Sequence, residues 1–331
     1  MLWLRICLLA LWWWLPLIAP AGDDCPTLPT SAEFTTRAIG LEILEAKIDA
    51  ATINSITVIR LAPEMWSPKV WDMRQVGSLY TQQKKYLQPA YSVEESLTFF
   101  RGDVVASSAG FTQTYNAPVP AGLVQLDYVE HSPVFQSRVL DGFVCVQPSG
   151  QVSILSRLVE GVRRAPENAQ GCRDAVQAGP VLVFDAKPQI STHAMTTLRV
   201  ALGVDAAGRT LLVYSPSATT RGLGCALSSQ AIGATAAINL QGDAYGGIAF
   251  SALLERNAKL EGLGTPDRVV ATALVFARNN GPSAAMPSPN LKMGSPQRTG
   301  AASRLNVEPF NKAAKGAPVV SCSETRNAMC K

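Results

Sequence analysis

Alternation of apolar and polar positions begins at Gly40 and sets the first elements. The runs GLEILEAKI, INSITVIRLAP and KVWDMRQV alternate or are rich in β-branched residues, the pattern of strands with a buried face. SVEESLTFF breaks this period. There Ser92 and Glu95 stand three apart, the spacing of a capping box over a short helix. GDVVASSAGFT reads as a buried strand that opens into a small-residue loop. In FVCVQPSGQVSIL, Pro148-Ser149-Gly150 makes a turn between two strands. AVQAGPVLVF is a further apolar strand, entered through Gly179-Pro180, and LRVALGVDAAGRTLLVYS is a hairpin reversed by Asp205 to Gly208. Thr220 to Ile232 predict a helix stopped by Gly233. AAINL and DRVVATALVFAR supply the last strands. Together these predict an α+β fold: a single mixed domain over 34–280, with many strands, two or three helices and Gly-rich loops at strand ends.

The flanks depart from this pattern. Arg5, the apolar stretch Ile6 to Ile18 and the small residues Ala19-Pro20-Ala21 have the layout of a signal peptide over 1–21. Pro16 interrupts the apolar run, which is short for a span of about 20 residues. Cleavage after Ala21 and export to a periplasmic or extracellular space are expected, with no stable membrane span afterwards; an uncleaved anchor is the alternative. Residues 22–33 are a polar connector. Beyond Asn280 periodicity gives way to Pro, Ser, Gly and Ala, so 281–331 read as an irregular C-terminal extension.

Cysteine usage agrees with export. Cys7 leaves with the leader, and six cysteines remain, which fits disulfides in an oxidising compartment, although six allow 15 pairings. Cys322 and Cys330 are expected to pair across their short loop. The spacing fits no metal site, and neither a metal nor a cofactor is expected. The formal net charge of +4 falls by one with Arg5, and no basic stripe carries interleaved aromatics, so nucleic acid is excluded as a partner. The sequence does not bear on protein partners.

Motifs exclude several chemistries. There is no GxSxG elbow, no HExxH and no P-loop, and the two histidines, His131 and His193, stand without supporting motifs. What remains is polar residues at strand ends. Arg199 enters an otherwise apolar strand, where a guanidinium needs an acceptor: a ligand phosphate or carboxylate, or an ordinary ion pair. The stretch AINLQGDAYGG ends a buried strand in an amide, a carboxylate, a phenol and glycines that admit a ligand to the backbone. Asp243 is there either a site carboxylate or a turn former. Asp205 belongs to the hairpin, and Asp141 in the DGF stretch suits either role.

Five of these segments, from about Gly40 to Arg278, together resemble the phosphodiester glycosidase domain family, whose members include an enzyme that removes N-acetylglucosamine from a phosphodiester. VVASSAGFT is similar to the family's strand ending in N-G/A-G-F-F, AVQAGPVLV to Q-A-G-P-x-L, and LRVALGVDAAG to R-T-A-I-G-x-D. GCALSSQAIGATAAINLQGDAYGG is similar to the helix and strand that end in A-L-N-L-D-G-G-G-S, and DRVVATALVF to the closing strand. The resemblance implies a sugar-phosphate or glycan ligand and hydrolysis of sugar phosphodiesters or related envelope glycans, exopolysaccharide among them; a non-catalytic glycan-binding member is the alternative. It implies Arg199 as a catalytic residue, and Asp243, two residues past the position of the family's aspartate, is the carboxylate proposed to restore that role. Ser108, Gly110, Gln177, Gly179, Asn239, Gln241, Gly242 and Tyr245 become substrate-binding candidates. Arg199, Gln241 and Asp243 would line one cleft, walled by the loops at Ser108–Phe111 and Gln177–Pro180. The pattern also departs from the family: Gln241 stands in place of its aspartate, Tyr245 falls near its serine, and Ser108 replaces its asparagine. An amide at Gln241 holds a sugar but gives up no proton, which leaves Asp243 as the carboxylate of the loop.

Overall fold

Strands 41–50 and 53–61 pair antiparallel, with Leu41 opposite Leu61 and Ile43 opposite Ile59. They open an eight-stranded antiparallel sheet whose spatial order is Thr35–Ala38, Leu41–Ala50, Ile53–Leu61, Thr210–Ala218, Thr197–Asp205, Ala234–Gly242, Val181–Phe184 and Lys187–Pro188. The computed structural model describes residues 25–73, 91–100, 102–112, 119–189 and 195–279. The signal-like leader, the C-terminal extension and the Cys322–Cys330 pair lie outside these.

The central strands of the large sheet are largely buried on both faces, which is why 197–205, 210–218 and 234–242 read as more continuous apolar runs than the alternating strands 41–50 and 53–61. Along 197–205 and 210–218, Val200, Leu202 and Leu212 enter one core, while Ala201, Leu211 and Val213 enter another with Leu223, Ala226 and Leu227 of the helix Thr220–Ser228. Two five-stranded sheets close the first of these cores. One contributes Val144, Val146 and Val176, the other Val105, Ile248 and Phe276. Three sheets therefore share one interior.

The local signals fold as their chemistry requires. Ser92 Oγ accepts from the Glu95 amide and Glu95 Oε2 from the Ser92 amide, a complete capping box over the four-residue helix Val93–Ser96. Asp205 holds the hairpin: its Oδ1 accepts from the amides of Ala207 and Arg209, and its Oδ2 from Arg209 Nε at 2.7 Å.

Three expectations need adjusting. First, the many strands and two or three helices are present, 22 strands and three short α-helices among the described residues, but the balance is more sheet-rich than a strict α+β fold. Second, the second of these helices ends at Ser228, not Ile232. Ser228 Oγ bonds back to the Cys225 carbonyl, competing with the helix ladder, and Ser229 turns extended. Gly233, at φ +70°, then closes a separate turn by donating to the Ser229 carbonyl. Third, AVQAGPVLVF is two strands. Asp174–Ala178 lies in a five-stranded sheet and Val181–Phe184 in the eight-stranded one, with the cis Gly179-Pro180 bond where the chain changes sheets.

Disulfides join Cys25 to Cys225 and Cys145 to Cys172. The first ties the start of the polar connector to the helix Thr220–Ser228, and Ala32 is buried behind it. Replacing Cys172 by Ser should cost about 2–4 kcal/mol, because the open chain regains the loop entropy that the cross-link removes. Chemical denaturation of the variant against the oxidised parent measures this, and equal midpoints would contradict it.

Candidate functional site

Strands 197–205 and 234–242 are neighbours, with Arg199 opposite Gly242 and Val200 opposite Gln241. The register then shifts, so that Ala201 faces Asn239 and Leu240 is the extra residue. Such a bulge bends its strand and re-aims the side chains beside it. Just past it lies a cavity of about 210 Å³. Its polar lining is Thr197, Arg199, Thr220, Asn239, Gln241 and Asp243, and its apolar wall is Phe111, Val139, Pro180 and Met195. Arg199, Gln241 and Asp243 thus meet in one cleft, and one residue from each expected wall loop, Phe111 and Pro180, reaches it.

Arg199 is only 8% exposed. Its Nε donates to the Ala218 carbonyl at 3.3 Å and its Nη2 to the Met195 carbonyl at 3.2 Å. Among the described residues it forms no ion pair with a carboxylate. Burial pulls its pKa below the usual arginine value, and the charge of Asp243 pushes it back up. A guanidinium keeps its proton in either case, so the cavity holds a partly desolvated cation whose Nη1 has no hydrogen-bond partner among the described residues. Gly242 makes room for it: a Cβ there would stand 3.1 Å from Arg199 Nη1.

Asp243 is the one carboxylate among the described residues lining the cavity, and it is exposed at the mouth. Its backbone is left-handed, φ +61°, a conformation that Asp tolerates better than most residues. Thr197 Oγ1 donates to its Oδ1 at 2.8 Å, which leaves Oδ2 for a ligand or water. Gln241 is buried; its Oε1 accepts from the Gly242 amide at 3.2 Å, and its Nε2 has no partner among the described residues. Asn239 clasps the switch between sheets. Its amide donates to the Pro180 carbonyl, its carbonyl accepts from the Gly179 amide, and its Nδ2 donates to the Gly179 carbonyl at 3.1 Å. The buried Oδ1 has no partner among the described residues, a penalty of about 1–3 kcal/mol.

The remaining candidates do not line the cavity. Gln177 is buried with its amide filled: Oε1 accepts from Leu123 and Phe135 amides, and Nε2 donates to Phe135 and Leu140 carbonyls at 2.7 and 2.8 Å. It fastens the loop that carries Val139 into the cavity wall. Ser108 is fully buried and accepts from the Gly247 amide. Gly110, at φ +67°, turns the chain where a Cβ would press on Val176 Cγ2 at 2.9 Å, and so brings Phe111 to the cleft. At Gly179 a Cβ would run into the Val139 carbonyl. Tyr245 is half-buried in the 3₁₀ turn Asp243–Tyr245 and lies off the lining. Sequence reasoning missed Thr197 and Thr220. Thr197 was within reach of it, being two residues from Arg199 on one strand and so on the same face.

Asp141 is a buried carboxyl behind this wall. Its Oδ1 accepts from the Val181 amide at 2.8 Å. Burial raises its pKa to about 6, against the lowering effect of its backbone hydrogen bonds and of Arg163. The folded protein therefore holds this proton more tightly than the unfolded chain. The stabilisation is complete below the unfolded value near 4 and is lost as pH rises through about 6. Asp141→Asn should flatten the fall in unfolding free energy between pH 4 and pH 7 by an amount on the order of 2–3 kcal/mol. Denaturant titrations of both proteins at the two pH values test this, and identical slopes would contradict it.

Among the described residues no group of three or more His, Cys, Asp or Glu side chains is placed to hold a metal, and no helix is long and apolar enough to cross a membrane. No curated protein sequence matches the chain. Among solved structures, a hypothetical protein from Synechocystis superposes with a TM-score of 0.51 at 14% identity, over 77% of this chain. The chain spans 64% of that protein's length, and the likeness shows a shared fold. The catalytic domain of zebrafish N-acetylglucosamine-1-phosphodiester alpha-N-acetylglucosaminidase, auto-inhibited by its pro-peptide, superposes at 0.49 with 15% identity, over 76% of this chain and 88% of that one. The sequence profile of the phosphodiester glycosidase family matches residues 101–277, a span that holds every polar group of the cleft, and with more than half its length matched this chain belongs to that family.

Proposed function

We propose that the protein hydrolyses glycosyl phosphodiesters outside the cytoplasm, with Arg199 holding the phosphate and Asp243 acting as the base. The observation that carries this is the buried Arg199 guanidinium, unpaired with any described carboxylate, in the same cavity as Asp243. In the step we envisage, Asp243 takes a proton from water and the water oxygen bonds to the anomeric carbon. The carbon–oxygen bond to phosphate breaks, and its electron pair leaves on the phosphate. Ordinary glycosides need a second carboxyl group to protonate the leaving oxygen. A phosphate monoester is a far weaker base than a sugar alkoxide, so it departs without that proton, and Arg199 stabilises the charge it carries. A site with one carboxylate is thereby adequate for this substrate class. Gln241 Nε2 is assigned to a sugar hydroxyl. The signal-like leader and the two disulfides support a periplasmic or extracellular location.

A second reading, glycan binding without turnover, is favoured by Gln241, an amide where the family carries an aspartate. One experiment separates the two. The oxidised protein is incubated with the methyl diester of N-acetylglucosamine 1-phosphate, following sugar release and calorimetric binding in parallel. Release supports the hydrolase, binding without release supports the second reading, and neither would overturn both.

A further inference from the structure

The cavity is small for a phosphodiester substrate. Its volume of about 210 Å³ lies below the ~300–1,000 Å³ typical of sites that enclose a whole small-molecule ligand. With the sugar over Asn239 and Gln241 and the phosphate at Arg199, the alcohol on the far side of the phosphate has to leave through the mouth. The chemistry of that mouth is apolar. Met195 and Val139 line the cavity and are 75% and 36% exposed. Phe135, 53% exposed, sits on the same loop as Val139, and Gln177 bonds that loop at both Phe135 and Leu140. Two exposed apolar side chains, Val139 and Met195, thus border the cavity, and a third, Phe135, stands on the loop that supplies Val139, which a buried, fully bonded amide holds in place.

Resting on the sugar-phosphate reading above, we propose that the substrate is a glycosyl phosphodiester of a long-chain, apolar alcohol, whose chain lies over Val139, Met195 and Phe135. A polar aglycone, such as a second sugar or a glycerol, would find no hydrogen-bonding partner among these three side chains. An alkyl chain buries its own surface and theirs together, and each methylene fully covered adds about fourfold in affinity.

The test compares the methyl and decyl diesters of N-acetylglucosamine 1-phosphate, both below micellar concentration, by calorimetry on the oxidised full chain. The decyl diester should bind at least tenfold more tightly than the methyl diester, as covering about two methylenes would produce. Phe135→Ser and Met195→Gln should each cut the decyl-to-methyl affinity ratio by about threefold or more, close to one lost methylene. Reading the ratio cancels any general effect of the variants on the site, and their thermal midpoints check the fold. Equal binding of the two diesters by the parent would overturn the apolar exit and leave the sugar-phosphate reading standing. An unchanged ratio in both variants would overturn its placement on this wall. If neither diester binds, the sugar-phosphate reading falls and takes this inference with it.

Discussion

Asp243→Asn should lower kcat on a glycosyl phosphodiester by about 10²–10⁴-fold, the usual contribution of a positioned general base. The substitution is clean in this setting. Asparagine keeps the size and the oxygen that accepts from Thr197 Oγ1, and it tolerates the left-handed backbone at φ +61° nearly as well as aspartate. It removes only the ability to take a proton. Binding, which depends on Arg199 and the amides, should therefore change by less than about threefold, so that the loss appears in kcat and kcat/KM together. Steady-state kinetics beside calorimetry give both numbers. A variant with undiminished kcat would remove Asp243 from the chemistry, and a variant that lost binding as well would make it a ligand contact instead.

Arg199→Ala should weaken the same diester by at least tenfold, since each charge-assisted hydrogen bond to a shielded anion is worth ~1.5–3 kcal/mol. The loss has a signature that general damage would not share. A neutral glycoside of the same sugar, lacking the phosphate, should bind the variant and the parent within a few-fold of each other. Arg199→Lys should fall between, because an ammonium keeps the charge but not the planar fork. The alanine variant also leaves the Ala218 and Met195 carbonyls without their donor, so a lower melting temperature is expected alongside. Equal weakening of the neutral and anionic ligands would show that Arg199 shapes the cleft and does not hold phosphate.

The sequence by itself determined the short-range structure, because the signals there are short-range. Two-residue alternation marked the strands at 41–50 and 53–61. Asp205 marked its hairpin because an aspartate bonds the amides just ahead of it, and Ser92 with Glu95 marked a helix start because each satisfies the other's free amide. The motif order also pointed to the family that the profile match shows. Tertiary structure alone decided what each polar group of those motifs touches. Gln177 reads like Gln241, a polar residue at the end of an apolar run, yet its four partners come from residues 37 to 54 positions away, brought to it by strand pairing. Among the described residues, Gln241 finds only the amide next to it and keeps a donor for the cavity. The break of AVQAGPVLVF between two sheets, and the choice of Cys225 and Cys172 as partners for Cys25 and Cys145, were settled in the same way. Each depends on which distant strands share a core, and no local period of two or 3.6 residues carries that information.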